Sequence, residues 1–452
     1  MTISPTPTAT SSALASHGSG SRTAGSAASA EERVILEAAR ALKDEAVVQL
    51  VEMVRAPSLL GHEASAQVVV RRAFEEIGVE VHEFAIDEAK LKEHPGYSPS
   101  IVSYDGRHNV VGTHRPVGRE TGRSLIFNGH IDVVPVGAEA LWTHPPFSGH
   151  IDGDRVYGRG AADMKAGIVA FTMAFKALRS LGLEPAATVH LQSVVEEECT
   201  GNGALACLVE GYRADAAVIT EPIAGMLTCQ MGVMWFAIEV LGKPVHASVA
   251  HTGVGAIDFS LYLFSALKEL ERQWNEPKSR HGYFLKHEHP VNFNLGKIQG
   301  GEWASSVPTH CRSDIRIGFY PDMPAAKAKE EIERVLAQAY AAHPGRESLS
   351  YRIIYEGFQA EGCIVDENEA VLQTLAASYR DVVGEELESQ AFTGTTDIKF
   401  FNVYGAIPAT CYGPTGASIH GIDEWVSIES MMQTTAVLAV FLSRWCGVNR
   451  IT

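Results

Sequence analysis

The chain has 452 residues, of which 46% are hydrophobic and 20% are charged, so it is long enough to form more than one hydrophobic core. Its formal net charge of −17 disfavours nucleic acids and anionic membrane surfaces as partners. Its seven cysteines show no CxxC spacing, which favours reduced thiols and a cytoplasmic location over a disulfide framework.

The first 30 residues consist almost entirely of Ser, Thr, Ala, Gly and Pro. Since they contain no apolar stretch behind a charged start, they predict a disordered tail rather than a signal peptide. Helical patterning begins at Glu31. Near the other end, the apolar run from Ala436 to Leu442 is far too short to span a bilayer, so we expect no membrane segment.

Short apolar runs alternate with longer helical patterns in the first half of the chain. The runs at Leu125–Phe127, Thr188–Val195 and Ala216–Ile219 predict strands. Helices are predicted at Lys165–Leu181 and Gly203–Glu210. Strands separated by such helices favour parallel pairing in an α/β fold, with helices on both faces and functional side chains at the carboxyl ends of the strands.

A different order of elements follows residue 232. The order strand, helix, strand, strand, helix, strand is typical of a ferredoxin-like unit, which here interrupts an α/β domain that resumes after Glu356. The predicted elements are the strand Val233–Leu241, the helix Val254–Trp274, the strands Val291–Ile298 and Pro308–Phe319, the helix Ala325–His343 and the strand Leu349–Tyr355. The predicted domains are a tail at residues 1–30, a catalytic domain in two parts at 31–232 and 357–452, and an inserted domain at 233–356.

Ionisable side chains cluster where the predicted strands end. His130 and Asp132 follow the first strand, and a ligating imidazole usually donates its second N–H to an acceptor. Asp163 lies in a glycine-rich turn that opens a helix, where it is either an N-cap or a metal ligand. The acids Glu196–Glu198 follow the second strand, where they repel one another unless a cation is present; a solvated acidic loop is the alternative.

Two further side chains complete this set. Glu221 follows the third strand, and His420 lies in a late segment of the sequence Ala-Ser-Ile-His-Gly. Two histidines and several carboxylates from separate strand ends form the mixed nitrogen and oxygen set that suits zinc or a neighbouring first-row ion. The set is also compatible with two metal ions that share one bridging carboxylate.

Seven segments carry a resemblance to a known family. They are NGHIDVVP, GRGAADMKAG, SVVEEECTGNGA, ITEP, GKPVHAS, TGTTDIKFF and GASIHGIDEW. Together they resemble the co-catalytic metallohydrolases of the M20 peptidase family, in its acetylornithine deacetylase and succinyl-diaminopimelate desuccinylase group, over nearly all of residues 45–445. The resemblance implies a zinc-peptidase-like catalytic domain, with a mixed sheet flanked by helices, and an inserted ferredoxin-like βαββαβ lid and dimerisation domain.

The resemblance also implies two divalent metal ions and five ligands, two of them imidazoles and three of them carboxylates. The ligands would be His130 and Glu221 for one ion, Glu198 and His420 for the other, and Asp163 as the bridge between them. The ions would be zinc, with cobalt or manganese as alternatives. The peptide bond after the bridging aspartate would be cis.

The same resemblance implies roles for three further residues. Glu197 would be the general base, which takes a proton from the attacking water and returns it to the leaving amine. Asp132 would orient the imidazole of His130. His246, in the inserted domain, matches a histidine that reaches the active site of a neighbouring subunit and stabilises the oxyanion, so we expect a homodimer.

The substrate is expected to be a small N-acyl amino acid or a related N-acyl amine, whose amide bond is hydrolysed. Arg316 matches an arginine that binds a substrate carboxylate, and Gly394 and Thr395 match a turn that lines the substrate. Ser305 and Ser306 stand where many relatives carry an asparagine, so contacts there differ. The same centre would also serve a carboxypeptidase, a dipeptidase or an N-formyl amine deformylase.

Three other functions have less support. The segment from Gly201 to Ala206 matches the GxGxxA dinucleotide fingerprint, but the acids just before it would repel a pyrophosphate. The segment from Gly416 has His420 where a nucleophile elbow needs glycine, which disfavours a serine hydrolase. A non-catalytic binding module remains an alternative, although such a protein would be expected to have lost a ligand and none is missing.

Overall fold

The computed structural model describes residues 28–451, so the predicted tail at residues 1–30 lies almost wholly outside it. Among the helices of residues 28–451, none combines the length and the apolar character that crossing a bilayer requires. The helices are α1 (Ala30–Ala41), α2 (Lys43–Arg55), α3 (Ala64–Glu76), α4 (Glu88–Leu91), α5 (Ala166–Ser180), α6 (Asn202–Val209), α7 (Ala256–Trp274), α8 (Ala325–Ala342), α9 (Ala370–Val383) and α10 (Ile428–Cys446). The strands are β1 (Glu80–Ala85), β2 (His108–His114), β3 (Leu125–His130), β4 (His150–Asp152), β5 (Arg155–Tyr157), β6 (Leu183–Pro185), β7 (Val189–Val194), β8 (Ala217–Ile219), β9 (Met226–Gln230), β10 (Gly232–Leu241), β11 (Phe293–Gly300), β12 (His310–Phe319), β13 (Ser350–Ala360), β14 (Cys363–Ile364), β15 (Ser389–Phe392), β16 (Ala409–Cys411), β17 (Gly416–Ala417), β18 (Trp425–Ser427) and β19 (Val448–Arg450).

The largest sheet has six strands in the order β1, β2, β7, β3, β8, β16. Strands β7, β3, β8 and β16 run parallel, whereas β1 and β2 are antiparallel to their neighbours at one edge. The apolar runs of β3, β7 and β8 are buried along their whole length, as expected for parallel strands that are covered on both faces. The predicted fold class, an α/β fold with a mixed sheet flanked by helices, is confirmed.

Helices cover both faces of this sheet. Val110 of β2 belongs to the main hydrophobic core, together with Phe171 of α5. The next residue, Val111, belongs to a separate cluster with Cys207 of α6. Because successive residues of a strand point to opposite faces, α5 and α6 cover opposite faces of the sheet. Helix α5 is buried on nearly every side because α10 and α1 also pack against it.

The segment from β10 to β13 folds around a core of its own. Its four strands pair antiparallel in the order β11, β12, β10, β13. Helix α7 packs on this sheet because Phe259, Leu263 and Leu267 recur every four residues and form one apolar face. The last strand continues to Ala360, past the predicted domain boundary at residue 356.

Candidate metal centre

Three of the predicted ligands lie at the carboxyl ends of neighbouring parallel strands. His130 is the last residue of β3, whereas the sequence predicted a strand that ends at Phe127. Glu198 and Glu221 lie in the segments that follow β7 and β8. Since β7 and β8 flank β3 in the sheet, these side chains converge at one edge of it.

Asp163 lies between the two predicted histidine ligands. It belongs to the turn Ala161–Lys165 that leads into α5, and its peptide bond with Met164 is cis, as the family resemblance implied. One of its carboxylate oxygens is 3.2 Å from Nε2 of His130, and the other is 3.3 Å from Nε2 of His420. Asp163 is therefore in a position to bridge two cations.

The five predicted ligands form two groups that share Asp163. The buried group is His130, Asp163 and Glu221, and the exposed group is Asp163, Glu198 and His420. Within each group, one potential ligand atom of every residue lies within 4.8 Å of the others. Nε2 of His130 is 3.9 Å from the Glu221 carboxylate, and Nε2 of His420 is 3.1 Å from that of Glu198.

Glu197 lies beside the buried group. Its Oε2 atom is 3.9 Å from Nε2 of His130. Its Oε1 atom is buried and has no hydrogen-bond partner among residues 28–451. Burial raises the pKa of the Glu197 carboxyl well above its usual range, more strongly than the neighbouring His130 lowers it. A nearby positive charge would favour the ionised form of this carboxylate.

Burial and neighbouring charges shift the pKa values of the carboxyls and imidazoles in the two ligand groups. Burial raises the pKa of Glu221 well above its usual range. Burial alone would lower the pKa of both histidines, but hydrogen bonds to Asp163 and the neighbouring acids raise that of His130 well above its usual value and that of His420 to about 11. A divalent cation would stabilise the same carboxylates with the imidazoles neutral, so this donor set fits a metal ion.

Asp132 contacts both the imidazole of His130 and the segment that carries Glu197. Its carboxylate is 3.8 Å from Nδ1 of His130, whereas the main-chain carbonyl of Asp132 lies 2.9 Å from the same atom. The carboxylate instead accepts the main-chain N–H groups of Glu197 and Glu198, each at 3.1 Å. The side chain of Asp132 thus positions the segment that carries the predicted base, and its carbonyl oxygen is what orients the imidazole.

The three consecutive glutamates do not all face the candidate site. Nη1 of Arg107 lies 3.1 Å from Glu196, and the Ser100 hydroxyl also donates to this carboxylate. Arg107 also pairs with the buried Glu63 at 2.6 Å. The buried guanidinium of Arg107 therefore compensates the charge of Glu196, and the repulsion expected among the three acids needs no metal cation at this position.

His246 is exposed in the segment that follows β10. Its Nδ1 atom lies 2.8 Å from the hydroxyl of Ser248, and its main chain forms a bridge to Ser306. Across residues 28–451, none of the hydrogen bonds or ion pairs of His246 involves a member of either ligand group. The structure of one chain therefore does not bring His246 together with the other predicted site residues.

The predicted substrate-binding residues lie close to one another. Nη2 of Arg316, on β12, donates to the carbonyl of Thr393 at 3.3 Å, directly before Gly394. The Thr395 hydroxyl accepts from Gln230 at 3.1 Å. Burial lowers the pKa of Arg316, and no carboxylate within residues 28–451 forms an ion pair with it. Its charge is thus available to an anionic ligand.

Sequence reasoning missed two further pairs of buried charges. Arg159 and Glu424 form an ion pair at 2.6 Å and are each at most 2% exposed. The Lys399 ammonium lies 4.0 Å from the carboxylate of Asp397, and both residues are buried. All four lie inside the motifs GRGAADMKAG, TGTTDIKFF and GASIHGIDEW. A charged residue within such a glycine-rich or apolar segment was the available signal.

Comparisons with known proteins agree with this fold. The model of peptidase family M20/M25/M40 matches residues 126–444. A Bacillus subtilis (strain 168) protein named N-formyl-4-amino-5-aminomethyl-2-methylpyrimidine deformylase is 30% identical over 363 residues, which cover 76% of this chain and 84% of that protein. The crystal structure of human carnosine dipeptidase 1 is similar with a TM-score of 0.73 and 16% identity, over 92% of this chain and 99% of that one. The Bacillus subtilis YXEP protein, described as a dinuclear metal binding peptidase from the M20 family, has a TM-score of 0.56 and 16% identity, over 90% and 99% of the two chains.

Proposed function

This chain belongs to peptidase family M20/M25/M40 and is a hydrolase of C–N amide bonds, and we propose that it uses two divalent metal ions to hydrolyse a small N-acyl amine. One observation carries the proposal. The two ligand groups share Asp163, and the buried carboxylate of Glu197 lies 3.9 Å from His130 in one of them. This is the arrangement that a bridged metal pair beside a general base requires.

The residues that would hold the ions follow from the two groups. His130 and Glu221 would bind one ion, Glu198 and His420 the other, and Asp163 both. The mixed nitrogen and oxygen donors suit zinc first, with cobalt and manganese as alternatives. Bound divalent ions supply Lewis acidity that stabilises the negative charge developing on the amide oxygen.

The chain's own residues supply the proton transfers. Glu197, held through its main-chain N–H by the carboxylate of Asp132, takes a proton from the attacking water. It then returns this proton to the nitrogen of the leaving amine, so that the products are a carboxylic acid and an amine. Burial of Glu197 supports this role, because a carboxyl whose pKa is raised is a stronger base when it is ionised.

The acyl group is the least constrained part of the proposal. The relative that is 30% identical is named as a deformylase of an N-formyl aminomethylpyrimidine, so N-formyl amines are the first substrates to test. Arg316, which has no acidic partner among residues 28–451, would bind a substrate carboxylate, beside a turn that contains Gly394 and Thr395. N-acyl amino acids are therefore the second class, and dipeptides the third.

We also propose that the predicted inserted domain, residues 233–356, acts as a lid and pairs two subunits. The exposure of His246 supports this, because an imidazole that reaches a neighbouring subunit must lie on the surface of its own chain. The exposed side chains of Ile298 and Trp303, on and just after the edge strand β11, provide apolar surface for such a contact.

All seven cysteines are unpaired and buried, which supports a cytoplasmic location.

A mixing experiment tests whether His246 acts in trans. The inactive variants His246→Ala and Glu197→Ala are combined and their subunits exchanged. If His246 serves its neighbour, each hybrid dimer contains one complete site and one site that lacks both residues. Since random exchange makes about half of the dimers hybrids, about a quarter of the wild-type activity should be restored. Absence of recovery in a demonstrably mixed dimer would rule out the role in trans, and a monomer in sedimentation analysis would rule out the dimer.

The central experiment combines metal analysis with a substrate screen. Full-length protein purified with added Zn²⁺, Co²⁺ or Mn²⁺ should retain two ions per chain by elemental analysis. Amine release is then measured over N-formyl, N-acetyl, N-succinyl and dipeptide substrates, with the highest turnover expected for N-formyl amines. Protein that retains no stoichiometric metal with any of the three ions would refute the proposal.

A further inference from the structure

The buried ion pair of Arg159 and Glu424 lies directly beneath the turn that carries Asp163. The Oε1 atom of Glu424 accepts the main-chain N–H groups of Ala162 at 3.0 Å and of Asp163 at 3.2 Å. Its Oε2 atom accepts from Nη1 of Arg159 at 2.6 Å. Both oxygens of this carboxylate are thus used, and one of them binds two residues of the turn at once.

The guanidinium of Arg159 extends this contact to two further segments. Its Nη2 atom donates to the carbonyl of Gly421, directly after His420, at 2.9 Å. The same atom donates to the carbonyl of Pro135, in the segment that follows β3 and His130, at 3.3 Å. The ion pair therefore joins the three segments that carry His130, Asp163 and His420.

The energetics of burial favour a positioning role for this pair. Taking two charges out of water carries a desolvation penalty that can exceed their mutual attraction, so a buried ion pair is weak grounds for stability alone. Here each charge also binds main-chain groups of the neighbouring turns, which holds these groups in one arrangement. Such partners around a metal site commonly alter metal affinity by 10–100-fold.

We propose that Glu424, paired with Arg159, is a positioning residue that sets the orientation of Asp163 toward both metal ions. This inference rests on the proposed function, since it concerns the affinity of the same two-ion centre. Glu424 touches neither ligand atom of the Asp163 side chain and acts through the main chain of residues 162 and 163.

The informative variant is Glu424→Gln, which keeps the size and shape of the side chain. Its amide carries one acceptor oxygen, so its NH₂ group must face either the two main-chain N–H groups or the guanidinium of Arg159, a donor against donors in both cases. Metal-free full-length protein is titrated with Co²⁺ and followed by visible absorption. We expect Co²⁺ to bind about tenfold more weakly to Glu424→Gln, and by up to about 100-fold more weakly to Glu424→Ala.

Glu184→Gln is the matched control. Glu184 is also a buried acid that pairs with an arginine, Arg179 at 2.9 Å, and accepts one main-chain N–H, from Val117. Within residues 28–451, its hydrogen bonds and ion pairs involve no member of either ligand group. Glu184→Gln should have a lower unfolding temperature than the wild type, as Glu424→Gln does, but it should bind Co²⁺ with wild-type affinity.

The experiment distinguishes failure of the proposed function from failure of the positioning role. If the wild type binds no Co²⁺, the proposed function itself fails. If the wild type binds two ions and Glu424→Gln binds them with the same affinity, while its unfolding temperature falls as in the control, only the positioning role is overturned. Because Glu424→Gln is isosteric, it remains decisive if Glu424→Ala does not fold.

Discussion

The two ligand groups use the same kinds of side chain but place them in different surroundings. In the buried group, the side chains of His130 and Glu221 are 1% and 7% exposed. In the exposed group, Glu198 is 11% exposed but His420 is 53% exposed. His130 ends a strand of the central sheet, whereas His420 lies in a loop and has a positive φ of 61°.

This difference predicts two ions with unequal properties. Charges in a buried, low-dielectric site interact more strongly than charges that water can screen. The imidazole of His130 is also oriented by a main-chain carbonyl, which fixes its tautomer. We therefore expect the ion of the buried group to exchange slowly and the ion of the exposed group to be lost first on chelation.

Substitution of Glu197 should have the largest effect on activity and should leave the difference in exchange rate between the two ions unchanged. Glu197→Gln removes the base beside His130 but removes no predicted ligand. We expect kcat to fall by about 10²–10⁴-fold, because positioned acid–base catalysis contributes that much. Both ions should remain, as measured by elemental analysis. A variant that keeps turnover but loses an ion would exchange the roles assigned to Glu197 and Glu198.

Substitution of the two histidines tests directly whether the two ions exchange at different rates. His130→Ala should lower the affinity of one ion by more than about 100-fold, because loss of a direct ligand costs more than loss of an outer partner. His420→Ala should release the other ion and leave the slowly exchanging one in place. The measurement is metal content after a timed exposure to chelator.

Two outcomes would contradict the comparison. If each variant loses both ions at the same rate, Asp163 couples the sites so tightly that burial does not separate them. If His130→Ala retains the slowly exchanging ion, the buried group is not the tighter one. Glu184→Gln, a buried substitution away from both groups, is the control for a general loss of structure.

The sequence predicted the positions of the ligands better than their connections. Apolar runs bounded by polar residues predicted β3, β7 and β8, and the ligand positions follow because the carboxyl ends of parallel strands meet at one edge. Strand β1 was not predicted, since most of its residues are exposed and its pattern is not that of a buried strand.

The connections are long-range contacts with no local signature. Arg159 and Glu424 are 265 residues apart, and no periodicity relates them. The contact that orients the imidazole of His130 comes from the main-chain carbonyl of Asp132, and no residue type reveals a main-chain contact. Likewise, the compensation of Glu196 by Arg107 depends on how β2 and β7 pair, so the sequence alone suggested an unneutralised acid.

The pH dependence of metal binding should distinguish the histidines further. In the metal-free protein, hydrogen bonds to Asp163 and Glu198 overcome the effect of burial and raise the pKa of His420 to about 11, and that of His130 is raised as well. The ion pairs of His420 therefore stabilise the metal-free fold fully below a pH of about 6.5, and this stabilisation is lost as the pH rises toward 11. Metal ligation requires neutral imidazole, so binding near neutral pH should release protons.

The expected effect is an affinity that rises with pH, by up to about tenfold per pH unit for each proton released. Titration of Co²⁺ into metal-free protein at pH 6, 7 and 8, in buffers of different ionisation enthalpy, counts these protons. The His420→Ala variant should release one proton fewer than the wild type. An affinity that does not change with pH would show that the imidazoles are already neutral without metal.

The smallest expected effect is at Glu32, which lies outside both ligand groups and shows what a change of stability alone does. Its carboxylate accepts from Nε of Arg444 at 2.6 Å and caps α1 at the N–H of Ser29. The hydrogen bond from Arg444 lowers the pKa of Glu32 from 4.5 to about 2, so its contribution to stability is present above pH 4.5 and is lost as the pH falls toward 2. Glu32→Gln should cost about 1 kcal/mol at neutral pH by chemical denaturation, since the pair is partly exposed. Glu37→Gln, at an exposed position of the same helix, should lower the free energy of unfolding by less. Neither variant should change the metal content. If Glu32→Gln releases an ion, a distant loss of stability is enough to release it, and the exposure of the ligand groups does not explain which ion is lost first.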